Sequence, residues 1–317
     1  MKASFLRRIV VILSIFLASL FSITSLAQDR NVDFYARNGM SAITPSWDSI
    51  RQQLSPEDRQ LADRIRISVV PTENVNAEAS HEGEVRTIAV AAGLLEVIDW
   101  LATAQAVEAV TGELECETAY VKYLGDGVEE NSDRRVNGKS REIVTSPYQF
   151  YVAHRSMCTS VQPDLVNSNQ RAVLTRSLVM NESIKYILGH ELAHQVYRDP
   201  FSRVGWCEQQ RRETRADAYS FTLLSHSGES PLLAIPILLI FAADEDFSTD
   251  DKYHSHPAAL KRALKMVQAT QRQMKTDSEL RDAIRKTGRS ADFNSYLDRF
   301  EANIEEQLRG QDSGCPN

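Results

Sequence analysis

The sequence predicts an α+β fold, predominantly helical, with one small sheet. Three observations carry that prediction. Ile184, Ile187, Leu188 and Leu192 recur at helical spacing in mid-chain. The C-terminal third repeats the pattern at 258–273 and 278–286, and Tyr296, Phe300, Ile304 and Leu308 form a stripe at i, i+4 intervals that reads as core packing. Strand formers cluster in two short stretches, the apolar run 88–92 and residues 143–154 with Tyr148, Phe150 and Tyr151.

In chain order, residues 1–27 read as an export signal. Lys2, Arg7 and Arg8 supply its basic region, 9–23 its apolar core, and Ser25-Leu26-Ala27 the small residues before a cut at Gln28. A retained membrane anchor is the alternative, but the strongly apolar run is short of the roughly 20 residues that a spanning helix needs. Export places the chain in the periplasm or outside the cell. Losing those three cations takes the net charge from −7 to −10, which makes nucleic acid a poor partner. What remains, a domain over 28–310 and a tail over 311–317, is long enough to bury a large core. All four cysteines (Cys116, Cys158, Cys207, Cys315) lie in this exported part, where disulfides form. Three pairings are open; Cys116 with Cys158 and Cys207 with Cys315 is the pairing expected here.

Beyond the strand at 88–92, residues 125–139 are dense in charge and read as a polar loop. Asn181 is a fitting N-cap for a helix that stops at Asp199-Pro200. A loop over 201–207 would turn the chain back into a second, antiparallel helix through 211–219. The apolar run 231–243 holds Pro231 and Pro236 and is too short to cross a membrane, so it reads as a buried helix.

The mid-chain helix carries His190-Glu191-Leu192-Ala193-His194. Positions i and i+4 share a helix face, so two imidazoles can meet one zinc ion, with Glu191 beside the metal rather than on it. There a carboxylate can take the proton of the attacking water. A zinc that activates water wants a third protein ligand. Glu213, 19 residues past His194, is the candidate, and Asp217, one turn on, could hydrogen-bond a ligand histidine and fix its tautomer.

H-E-x-x-H followed by Glu213-Thr214-Arg215-Ala216-Asp217 resembles the zinc metallopeptidases typified by the CAAX prenyl protease and the heat-shock protease HtpX, whose soluble periplasmic members include the beta-barrel assembly-enhancing protease. Two further segments fit. Asn76-Ala77 with the run ending in Gly93-Leu94-Leu95 is similar to the family's N-A segment, edge strand and G-L-L helix start. His256-Pro257 with Arg262 is similar to its H-P-x-x-x-x-R element. The resemblance implies a zincin-like fold with the sheet beside the active-site helix, and a zinc-dependent endopeptidase acting on polypeptides such as misfolded envelope proteins. It implies that the edge strand, at Val90 and its neighbours, pairs with substrate backbone. It also implies that His256 steadies the oxyanion, with help from Arg262, or occupies the open metal position, and that Arg262 stands with Asp217 among the residues that support the ligands.

This chain departs from that pattern in one place. Gly93 and His190 stand 97 residues apart, so 112–178 reads as an insertion, either a lid near the cleft or a decoration that buries its own aromatics. Two other functional readings stand beside the first: a thermolysin-like gluzincin with the same ligand types, and a quality-control binding protein whose zinc is structural or plugged.

Overall fold

The computed structural model describes residues 32–139, 144–162, 164–199, 204–227, 229, 231–244, 259–278, 281 and 293–308. The signal at 1–27, the 254–257 segment with His256, and Cys315 lie outside the described residues. The fold is α+β and predominantly helical, with a small three-stranded mixed sheet. No described helix is long and apolar enough to cross a membrane.

Helix α1 (Val32–Gln53) buries Tyr35, Ile43, Trp47 and Ile50 at helical intervals, and α2 (Pro56–Ala62) starts on the Ser55 cap. Strands β1 (Ile65–Val70), β2 (Ala77–Glu82) and β3 (Val85–Ala91) follow. β3 is central, parallel to β1 and antiparallel to β2, with Ile88 between Ile67 and Ala79. The expected edge strand is therefore an interior strand. Val90 is paired on both sides, to Val69 and Ala77, and has no free backbone edge to offer a substrate. Its apolar run reflects burial between neighbours, and the outer strand beside the histidine helix is β2.

The chain passes from β3 directly into α3 (Ala92–Thr111), a helix buried from Ala92 to Val107. Gly93 opens it under the preceding loop. A Cβ there would stand 2.4 Å from the Glu73 carbonyl oxygen, so the G of G-L-L is a close-approach glycine.

The interval 112–178 is more helical than its composition suggests. The expected polar loop is α4 (Leu114–Val136), whose Lys122–Asp126 and Glu130–Arg134 pairs sit at i, i+4 on a solvated face. Of the expected strand, the described part forms α5 (Pro147–Ala153). A Ser146/Gln149 capping box and Pro147 at the first turn outweigh the strand preference of Tyr148, Phe150 and Tyr151. Phe150 and Tyr151 stack edge-on against Tyr120 of α4, and the Cys116–Cys158 disulfide closes the unit at a Cα separation of 5.3 Å. Its aromatics join the main core rather than a separate one. Cys207 is also disulfide-bonded.

After α6 (Leu165–Ser168), the histidine helix α7 (Gln170–Val196) is capped twelve residues before the expected Asn181, by Asn169, whose side chain accepts from the N–H groups of Arg171 and Ala172. Asn181 instead accepts a hydrogen bond from Ser46 of α1 inside the helix pair. Helix α8 (Trp206–His226) packs along α7. The two run antiparallel, because Tyr186 meets Ser220, His190 meets Asp217 and His194 meets Glu213. A 3-10 turn (Pro231–Ala234) and α9 (Ile235–Asp244) form the buried apolar element, followed by α10 (Ala259–Thr276) and α11 (Phe293–Leu308). Ile304, from the terminal stripe, is buried in the core.

Candidate metal centre

His190 and His194 leave α7 one turn apart and meet Glu213 of α8. His190 Nε2 is 3.2 Å from His194 Nε2 and 3.1 Å from Glu213 Oε2, and His194 Nε2 is 3.5 Å from Glu213 Oε1. A tetrahedral ion with bonds of about 2.0–2.1 Å keeps its ligand atoms about 3.3 Å apart, so these separations suit a shared ion. His190 and Glu213 are buried, while His194 lines the more open side.

The far side of each ring decides its protonation. His190 Nδ1 lies 2.9 Å from Asp217 Oδ1, and His194 Nδ1 lies 3.0 Å from Asp199 Oδ2. A carboxylate only accepts, so each Nδ1 carries the proton and, in a neutral ring, each Nε2 keeps a lone pair. Arg262 Nη2 also approaches His190 Nδ1, at 3.4 Å, but the closer carboxylate fixes the tautomer. Two lone pairs and a carboxylate thus converge on one small space. Such an arrangement repels itself unless a cation lies among the three. The group His190, His194 and Glu213 could hold a metal ion.

Asp217 is held in turn. Arg262 of α10 donates from Nε to Oδ2 at 2.6 Å and from Nη2 to Oδ1 at 2.8 Å, and the Tyr186 hydroxyl donates to Oδ1. Burial works against the Asp217 charge, but Arg262 and His190 hold its carboxyl well below the usual carboxylate range. Arg262 is itself buried, and its Nη1 lies 3.4 Å from Glu213 Oε2. Its guanidinium sits behind two acidic groups and orients them. His256 lies outside the described residues.

Glu191, one residue past His190, projects about 100° further round the helix and is 2% exposed. Gln195 fixes the sheet to this turn. Its amide donates to Ser80 O of β2 at 3.0 Å and to Thr87 O of β3 at 3.3 Å, while Arg86 donates to its Oε1 at 2.8 Å. The edge strand is thereby pinned beside the metal group. Asp199 and Gln195 were both missed as site residues in the sequence; the one signal for Asp199 is an acid shortly after the second histidine.

Comparison with known proteins yields no match: no family model, no curated protein and no solved structure is similar to this chain. The chemistry of the site rests on its own geometry.

Without a metal, a proton substitutes for it. Burial lowers the His190 pKa, but hydrogen bonds to Asp217 and Glu213 more than offset this and push it up to about 9. Stability linked to that proton is fully present below the ordinary value of 6.5 and is lost as pH rises through about 9. The metal-free chain is therefore expected to melt at falling temperature as pH rises from about 6.5 to about 9. Thermal scans in chelator check this, and a flat profile over that range contradicts it.

Proposed function

We propose that this chain is an exported zinc-dependent endopeptidase with a zincin-like fold, and that the CAAX prenyl protease and HtpX resemblance of its motifs reflects real kinship. The observation that carries the reading is the convergence of His190 Nε2, His194 Nε2 and the Glu213 carboxylate, with both Nδ1 protons held by carboxylates. Neutral imidazole and carboxylate are zinc's usual ligands, and three protein donors leave a position open. Bound there, zinc supplies a Lewis acid that acidifies water and polarises a peptide carbonyl.

The chain's own residues do the rest. The Glu191 carboxylate takes the proton of the attacking water and passes it to the leaving amine nitrogen, where it completes the new N–H bond. Asp217, held by Arg262 and Tyr186, keeps the His190 proton on Nδ1. β2 is the edge strand of the sheet on the side of the histidine helix, so an extended polypeptide would add beside β2 rather than beside β3. An export signal over 1–27 and the Cys116–Cys158 disulfide support a periplasmic or secreted location; on this reading polypeptides, including misfolded ones, are its substrates.

A second reading, a binding protein with a structural zinc, draws on the deep burial of His190 and Glu213. Structural zinc takes four protein ligands, and the group offers three among the described residues, which favours the enzyme. Glu213→Ala separates the assignments: zinc content of the purified protein should fall well below one per chain. Full occupancy in that variant would place the third ligand elsewhere.

A further inference from the structure

We propose that Asp199 is a positioning residue for the second histidine ligand, presented by a left-handed helix cap at Arg198. The inference rests on the metal reading above and extends it. Helix α7 ends in a Schellman turn, in which Arg198 N–H bonds Gln195 O at 3.3 Å and Asp199 N–H bonds His194 O at 3.0 Å. That turn requires a left-handed residue, usually glycine. Here it is Arg198, at φ 55, the one non-glycine residue of positive φ among those described.

The turn folds Asp199 back beneath the last helical turn. Its side chain is buried, with Oδ2 at 3.0 Å from His194 Nδ1. The other oxygen is gripped from α8 by Arg215, with Arg212 Nε at 3.9 Å. Arg215 is steadied in turn over the Tyr197 ring, 4.3 Å from its centroid. Arg212 and Arg215 flank Glu213, so Asp199 ties the orientation of His194 to the helix that supplies the third ligand. A neutral imidazole otherwise has two tautomers, and one of them puts a proton on Nε2, where a lone pair is needed. The two ligand histidines thus carry parallel supports, Asp217 with Arg262 behind His190 and Asp199 with Arg215 behind His194.

The test is zinc affinity of the full chain, measured by competition with a chromophoric chelator, alongside NMR of the His194 ring in the zinc-loaded protein. Asp199→Ala should bind zinc about 10–100-fold more weakly, and Asp199→Asn, whose carbonyl still accepts from Nδ1–H, should recover most of that loss. Arg198→Gly removes the unfavourable Cβ and should keep wild-type affinity while raising the melting temperature by about 2 °C. In the wild type, His194 should show a hydrogen-bonded Nδ1–H resonance that Asp199→Ala loses. Undiminished zinc affinity in Asp199→Ala overturns the inference, and so does a wild-type His194 without that resonance, which needs no variant to fold. A wild-type chain that takes up no zinc overturns the metal reading itself.

Discussion

Replacing Glu191 with glutamine should abolish hydrolysis of an unfolded protein such as casein and leave zinc bound. Glutamine keeps the size and hydrogen-bonding shape of the side chain but cannot accept the water proton. The residue is buried on α7 and lies outside the donor group of His190, His194 and Glu213, so the ligands have no reason to move. A positioned general base contributes roughly 10²–10⁴-fold to rate, and the loss should fall in that range or beyond it. Casein turnover and zinc content are measured on the same preparation. Lost zinc would make Glu191 structural, and retained turnover would sink its assignment as the base.

Arg262→Ala should cost about 3–5 kcal/mol of stability, the penalty for stripping one partner from a buried charge pair. Its guanidinium closes on both oxygens of Asp217 and lies 3.4 Å from Glu213 Oε2, with almost no exposure. Removing it takes away the cation that backs the Asp217 and Glu213 carboxylates on either side of His190. Burial opposes the guanidinium charge, but the Asp217 carboxylate outweighs it and keeps Arg262 charged. Arg262→Lys should recover little, since an ammonium cannot bond both oxygens in the fork geometry. Thermal unfolding in chelator is the measurement, and a melting temperature equal to wild type would contradict the role.

The convergence of His190, His194 and Glu213, a group that could hold a metal ion, was legible because it follows from helix geometry alone. His190 and His194 at i, i+4, and Glu213 and Asp217 at the same spacing, need only two antiparallel helices in register to converge, and α7 and α8 supply that register. Asp199 was not legible, because its place depends on a left-handed turn that sequence assigns to glycine and this chain gives to Arg198. Arg262 was found through a resemblance, yet the side of the site on which it stands depends on how α10 packs. The order of the sheet was hidden for a similar reason: an apolar run marks β3 as buried but does not say which strands flank it. Residues 125–139 were misread because charge density was taken for a loop, whereas Lys122–Asp126 and Glu130–Arg134 lie along a helix. In α5 the aromatic strand formers pointed one way and the Ser146–Gln149 cap the other, and the cap prevailed.

The most direct test of the central claim is metal stoichiometry coupled to activity in the full chain. Elemental analysis should find one zinc per chain, casein hydrolysis should cease when a chelator removes it, and stoichiometric zinc should restore it. A chain that cleaves casein equally well without metal, or one that carries its zinc and cleaves nothing, would contradict the account.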